Sequence, residues 1–370
     1  MQFMDMPMSP HRTINVLQAG RALAALAVVL IHITMPTNHL VQPIPASLNA
    51  VMERGYLGVD FFFVLSGFIL YYVNHDSSQR RGWTARYLES RLTRIFVPYL
   101  PVAIALIAAY VLMPQLSESG RTWSIPATLT LIPFGSQSAL GTAWTLTFEL
   151  HFYLWALVFF KLRAPLLLGA VWTLAIIVRM LLSAPFQLPV DISLASVLLN
   201  PLNLEFVFGM YAAWLVLRGH LQRAWPFLLA AAACMAVFAL RGYPRGSSYI
   251  FGLGLACLLV PLVRMEWRGQ LKVPAALILL GNASYALYLL HMPLMSAVAR
   301  VSARVPMLHS WAANVVASLI AAIVAGLAYH LVYEKPALAL VRRVLKRLLP
   351  APPALMAAAP GAAATSHRQP

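Results

Sequence analysis

Few residues of this chain can do chemistry, and those that can stand inside long apolar runs. In "RALAALAVVLIH", Arg21 and His32 close the two ends of ten uncharged residues. A helix turns about 100° per residue, so eleven steps return His32 to within about 20° of the face of Arg21, roughly 16 Å further along. An ionised group at bilayer depth costs at least about 2.5–3.5 kcal/mol, so both are expected to face a cavity, a partner or the bundle interior. Histidine exchanges protons near working pH, which suits His32 to general base catalysis. Asp60 and Glu149 are carboxyls in later apolar runs. Either would orient and stabilise a charged imidazole as a triad carboxylate does, and the sequence leaves open which. Arg91 and Arg94, three apart in "SRLTRIFVPY", share a helix face at the start of a span, and guanidinium groups grip phosphates bidentately. Ser284, Tyr288 and His291 have i, i+4, i+7 spacing and line one face, while Glu205 sits mid-helix in "NPLNLEFVFG". These four are candidates for an acceptor site or cavity lining.

Each also has a plainer reading. His32 suits a membrane interface, Arg21 can snorkel to headgroups, Asp60 can cap a helix after Gly58, and Arg91 and Arg94 can anchor topology. The Ser284, Tyr288 and His291 stripe can be helix-packing hydrogen bonds. His151 points nearly opposite to Glu149 and reads as structural, and no partner for Arg179 is legible. A metal site from His32, His151 and His291 lacks a close ligand pair, so no metal is expected.

The elements that position these residues follow from composition. With 370 residues, 61% hydrophobic, 10% charged and a mean hydropathy of +0.74, the chain does not match an ordinary soluble domain. The net charge of +16 comes from short basic runs between apolar stretches, which is a topology signal, and no nucleic-acid motif accompanies it. Cys234 and Cys257 each lie in an apolar run, so neither a disulfide framework nor a cysteine metal site is expected. The first apolar run lacks a small-residue cleavage site and reads as a retained helix.

At about 20 residues per crossing, ten spans are expected: Val16 to Met35, Tyr56 to Val73, Ile95 to Met113, Gly141 to Phe160, Pro165 to Ser183, Leu194 to Leu217, Trp225 to Leu240, Ser247 to Val263, Val273 to Met295 and Trp311 to Tyr333. Ile125 to Pro133 reads as a re-entrant or surface element. The fold is therefore all-α, a polytopic integral membrane bundle. With the N-terminus inside, 19 basic residues face inward against six outward, with Arg21 and Arg179 within spans, which places both termini in the cytoplasm. Residues 1–15 form a cytoplasmic lead, 16–336 the bundle, and 337–370 a basic, Pro/Ala-rich tail expected to be largely disordered. On this topology Arg21 lies in the inner half, whereas His32, Asp60, Glu149 and His291 lie towards the outer leaflet.

"RALAALAVVLIH", "GVDFFFVLSGFIL", "RLTRIFVPY", "WTLTFELHFYL", "SYALYLLHMP" and "YEKP", in that order from Arg21 to Pro336, resemble the acyltransferase 3 family of membrane O-acyltransferases, which modify lipopolysaccharide O-antigens, Nod factors, exopolysaccharides and macrolides. The resemblance implies a bacterial cytoplasmic (inner) membrane enzyme that takes an acyl group, acetyl by preference, from cytoplasmic acetyl-CoA. The recipient would be a glycan or glycolipid hydroxyl facing outward. It matches Arg21 and His32 to the family's essential pair. Some relatives carry a fused extracytoplasmic esterase-like domain; none is found here, so direct transfer by the bundle is expected. The rival class is a proton-coupled multi-pass transporter, which repeated halves and paired broken helices would favour. Nothing in the sequence names the acceptor sugar or the oligomeric state.

Overall fold

The computed structural model describes residues 13–117, 122–132, 134–182, 194–219, 223–244 and 247–348. Apolar side chains with few interior glycines make helix the one way to satisfy the backbone within the chain's own hydrophobic runs, and the described residues are helical almost throughout. In order they form α1 (Asn15–Leu40), α2 (Ala46–Glu53), α3 (Leu57–Asn74), α4 (Trp83–Leu112), α5 (Ile125–Thr130), α6 (Trp144–Lys161), α7 (Pro165–Leu182), α8 (Leu194–Leu198), α9 (Asn203–Leu217), α10 (Trp225–Leu240), α11 (Tyr249–Trp267), α12 (Ala275–Asn282), α13 (Ser284–Ser302), α14 (Trp311–Tyr329) and α15 (Lys335–Leu348). Among the described residues seven helices are long and apolar enough to cross a membrane, and α12 with α13, bent by 67°, makes an eighth if taken as one span. Helices α9 and α10, of 15 and 16 residues, are shorter.

Among the described residues the ten expected segments fall on helices, but only seven or eight have the length and apolarity of a crossing, and four further differences stand out. The segment from Leu194 to Leu217 is broken at 199–202 into α8 and α9, so Glu205 stands in the first turn of α9 and not mid-helix. The segment from Val273 is broken at Ala283 and runs on to Ser302, which leaves Ser284, Tyr288 and His291 together on α13. Helix α4 starts at Trp83, after Gly82 at φ +73°, so Arg91 and Arg94 stand two to three turns inside it. The basic stretch expected to open a disordered tail is instead helical through Leu348, joined to α14 by the π-helical turn His330–Glu334. The Pro-interrupted element is the short helix α5, capped by Ser124 Oγ on the Ala127 N–H. Pro133, most of the 1–15 lead and the tail beyond 348 lie outside the described residues.

Helix α1 is anchored at its start by Glu266 of α11, whose two carboxylate oxygens accept from the N–H groups of Asn15 (2.8 Å) and Val16 (2.7 Å). A carboxylate there satisfies otherwise unpaired donors and complements the helix dipole. Apolar burial cannot drive helix association in lipid, so close backbone approach between small residues matters more. Helices α3 and α9 meet in this way. A Cβ on Gly67 would lie 1.8 Å from the Phe206 carbonyl oxygen, and one on Gly209 would lie 1.8 Å from that of Val64. Beside this seam the Phe152 and Phe206 rings stack at 4.5 Å. The central helices α1, α3 and α6, together with α13, thus enclose space between them.

Candidate active site

Two chambers open inside the bundle, and Val59 and Tyr288 line both. One, of about 800 Å³, is lined by Arg21, Arg91 and Arg94 with Glu149, Tyr153, Ser284 and Tyr285. The other, of about 890 Å³, is lined by His32 and Asp60 with Asn200, Thr142, Trp144, Ser248 and Tyr249. Arg21 and His32, on one stripe of α1, therefore face different chambers. At the junction the hydroxyls of Tyr288 and Thr145 share a 2.7 Å hydrogen bond, and Tyr288 Oη donates to the Thr142 carbonyl at 3.1 Å. The Phe62 ring packs edge-on to Tyr288 at 6.2 Å.

In the histidine chamber, His32 Nδ1 lies 2.7 Å from the Val28 carbonyl oxygen. A carbonyl only accepts, so Nδ1 carries the proton and Nε2 keeps its lone pair. The ring also packs edge-on against His291, centroids 4.8 Å apart. His291 is fully buried, lines neither chamber, and has its own Nδ1 2.7 Å from the Tyr288 carbonyl oxygen. The orientation of His32 thus comes from its own helix backbone and a neighbouring imidazole.

This corrects the expectation that Glu149 or Asp60 would hold the ring. Glu149 lines the arginine chamber, where Tyr153 Oη donates to it at 2.5 Å. Asp60 does share the chamber of His32, but its neighbours are Glu205 and Ser248. Ser248 Oγ donates to Glu205 Oε1 over a long 3.5 Å, and Glu205 is fully buried and lines neither chamber. Ser284 lines the arginine chamber, Tyr288 both, and His291 backs His32, so the stripe on α13 runs along the junction. Arg91 stacks its guanidinium over Tyr153 (5.6 Å) and Tyr87 (5.8 Å). Arg21 Nη1 donates to Gln18 Oε1 at 3.2 Å. His151 accepts from Trp155 Nε1 at 2.9 Å, away from both chambers.

A model for the acyltransferase 3 family, described as an acyltransferase domain, matches residues 14–330, which takes in both chambers. The chain belongs to this family. It is similar to the exopolysaccharide production protein ExoZ of Rhizobium meliloti (strain 1021), with 29% identity over 301 residues, covering 77% of this chain and 90% of the relative. It is also similar to the acyltransferase MdmB of Streptomyces mycarofaciens, with 28% identity over 370 residues, covering 87% of this chain and 91% of that one. No solved structure matches. Family membership and the apolar helices together make this a multi-pass membrane acyltransferase.

Several residues in or beside these chambers escaped the sequence reading. Tyr153 stands one turn after Glu149, a spacing that signals a shared face. Glu334, in "YEKP", bonds His330 Nδ1 at 2.8 Å and, with Glu149, reaches Arg21 and Arg94 electrostatically. Asn200 stands in the break between α8 and α9 and Thr142 in the single 3₁₀ turn Gly141–Ala143 before α6, both too short for periodicity to mark a facing direction. Among the described residues no group of three His, Cys, Asp or Glu is placed to hold a metal ion.

Proposed function

We propose that this chain is an O-acetyltransferase that takes acetyl from cytoplasmic acetyl-CoA and delivers it to a hydroxyl of an extracytoplasmic or lipid-linked glycan, an exopolysaccharide or O-antigen unit. The observation that carries this reading is the pair of unlike chambers meeting at Tyr288, one cationic and one holding a histidine with a free Nε2 lone pair. Arg91 and Arg94 would hold the phosphates of CoA, and Arg21 the phosphate end or amides of the pantetheine arm. The arm would extend towards Tyr288, so that the thioester meets the acceptor at the junction. This geometry takes both termini as cytoplasmic and the histidine chamber as facing outward, in an inner membrane.

In the transfer, His32 Nε2 takes the proton of the acceptor hydroxyl as its oxygen attacks the thioester carbonyl carbon. The new C–O bond gives a tetrahedral oxyanion; its collapse breaks the C–S bond, and the imidazolium returns the proton to the departing thiolate. The products are the acetyl ester and CoA thiol. Tyr288 Oη, at the junction, would donate to the oxyanion by giving up its bond to the Thr142 carbonyl. His291 keeps the His32 ring in its plane.

Isolated membranes holding the protein are expected to release CoA thiol from acetyl-CoA and to accumulate base-labile acetate on glycan. Proton-driven solute uptake without any consumption of acetyl-CoA would contradict the proposal and favour a transporter.

A further inference from the structure

The chamber of the three arginines has two unlike sides. Its charged and hydroxyl-bearing side chains come from α1, α4, α6 and α13, whereas α3 gives it an apolar wall in which Ser66 is the one polar residue. Val59, Phe62, Ser66 and Ile69 stand at i, i+3, i+7 and i+10, which makes one face of α3 about 15 Å long. All four line the chamber and are only half-buried. The arginines and carboxyls suit the polar parts of a CoA thioester, and the α3 wall is left for its apolar parts.

The upper end of this wall is the neck between the chambers. Val59 lines both, and Phe62, one turn on, stands on the arginine side with its ring edge-on to Tyr288 at 6.2 Å. Both sides of the neck are held. Tyr288 is tied to Thr145 by their 2.7 Å hydrogen bond, and Phe62 packs against a buried cluster that includes Ala25 and Val29 of α1 and Leu287 of α13. The chain leading into α3 and its first turn are themselves pressed onto α1. A Cβ on Gly55 would lie 2.0 Å from the Ala27 carbonyl oxygen, and one on Gly58 2.3 Å from that of Ala24. Backbones in such contact leave α3 no room to move towards α1, and close-packed interiors yield little, so the neck is a rigid constriction.

A thioester carbonyl carbon is planar, with its oxygen, its sulfur and the first acyl carbon in one plane, and a nucleophile attacks across that plane. On the acyl-transfer reading the attack comes from the His32 side, the sulfur leads back to the arginines and the oxygen meets Tyr288. The acyl carbon is then left to the α3 wall at Val59 and Phe62. We propose that these two side chains form an acyl-size filter, in which the Phe62 ring closes the space behind a two-carbon group, so that the chain transfers acetyl and rejects acyl groups of four or more carbons. The proposal rests on the acyl-transfer reading and deepens it by naming the residues that set the length of the donor's acyl group.

The test compares wild type, Phe62→Ala, Phe62→Leu and Ile69→Ala, all as the full chain. Turnover is read in isolated membranes as CoA thiol released from acetyl-CoA and butyryl-CoA. Binding is read by calorimetry in lipid nanodiscs with acetonyl-CoA and 2-oxopentyl-CoA, ketone analogues of the two donors that cannot transfer an acyl group. One methylene in an apolar pocket changes kcat/KM about 10- to 200-fold. Wild type is therefore expected to favour acetyl-CoA over butyryl-CoA, two methylenes longer, by at least about 100-fold. Phe62→Ala and the milder Phe62→Leu should shrink that ratio at least about tenfold by raising butyryl turnover, and should tighten 2-oxopentyl-CoA relative to acetonyl-CoA. Ile69→Ala, two turns further down the same wall, should keep the wild-type ratio. Butyryl-CoA used by wild type as well as acetyl-CoA, a ratio unmoved in both Phe62 variants, or an equal shift in Ile69→Ala would overturn the filter. Turnover with an unmoved ratio sinks the filter alone, whereas analogue binding that shifts as expected, with no turnover of either donor, sinks the acyl-transfer reading alone.

Discussion

Arg91 and Arg94 lie on one face of α4 and line one chamber with Arg21, yet their surroundings differ. Arg91 is stacked over two tyrosine rings and has a buried Nε without a partner, whereas Arg94 lies within electrostatic reach of Glu149 and Glu334. Hydrogen bonds to charged groups contribute about 1.5–3 kcal/mol each. Arg91→Ala and Arg94→Ala are therefore expected to raise the KM for acetyl-CoA roughly 10- to 150-fold with a much smaller fall in kcat, as steady-state kinetics would read. An unchanged KM in both would assign them to topology. At this scale the sequence conveyed residue types well and facing directions poorly. His32 and Arg21 were legible because both stand on one uninterrupted helix. Glu149, one of the two carboxyls offered for His32, lines the arginine chamber instead, because depth counted from a span's end ignores tilt and rotation about the helix axis.

Among the elements, the α3 and α9 seam positions Asp60, Glu205 and the wall of both chambers. Its backbones touch where Gly67 and Gly209 lack side chains, and Gly209→Ala would drive a Cβ to 1.8 Å from the Val64 carbonyl oxygen. Overpacking of this kind costs about 1–3 kcal/mol or more, so a lower thermal unfolding midpoint and a lower membrane yield are expected. Gly169→Ala, whose new Cβ would meet only Val207 Cγ1 at 3.4 Å, is the matched control and should leave both unchanged. Element bounds were legible wherever an apolar run ended in turn residues: α10 runs from Trp225 to Leu240 as expected, bounded by Pro226 at its start and by Arg241 and Gly242 at its end. The breaks at 199–202 and at Ala283 were hidden because hydropathy stays high across both. Asn200 and Pro201 marked the first, and only the small residues of "GNAS" marked the second. Irregular backbone there is tolerated because it is buried in protein or lines a cavity.

For the whole molecule, two unlike chambers meet at Val59 and Tyr288, so that the proposed nucleotide donor and glycan acceptor would react without sharing a binding site. The family accounts for acyl transfer; the arrangement of charge accounts for its proposed direction. The central claim is that His32 passes acetyl to a surface glycan, and its most direct test is NMR of ester-linked acetate on the host's surface glycans. The comparison is a deletion strain complemented with wild type or with His32→Ala at matched membrane levels. A positioned general base contributes about 10²–10⁴-fold, so acetate is expected to return with wild type and to stay below about 1% of that level with His32→Ala. Equal acetate in both strains, or none in either, would contradict the account.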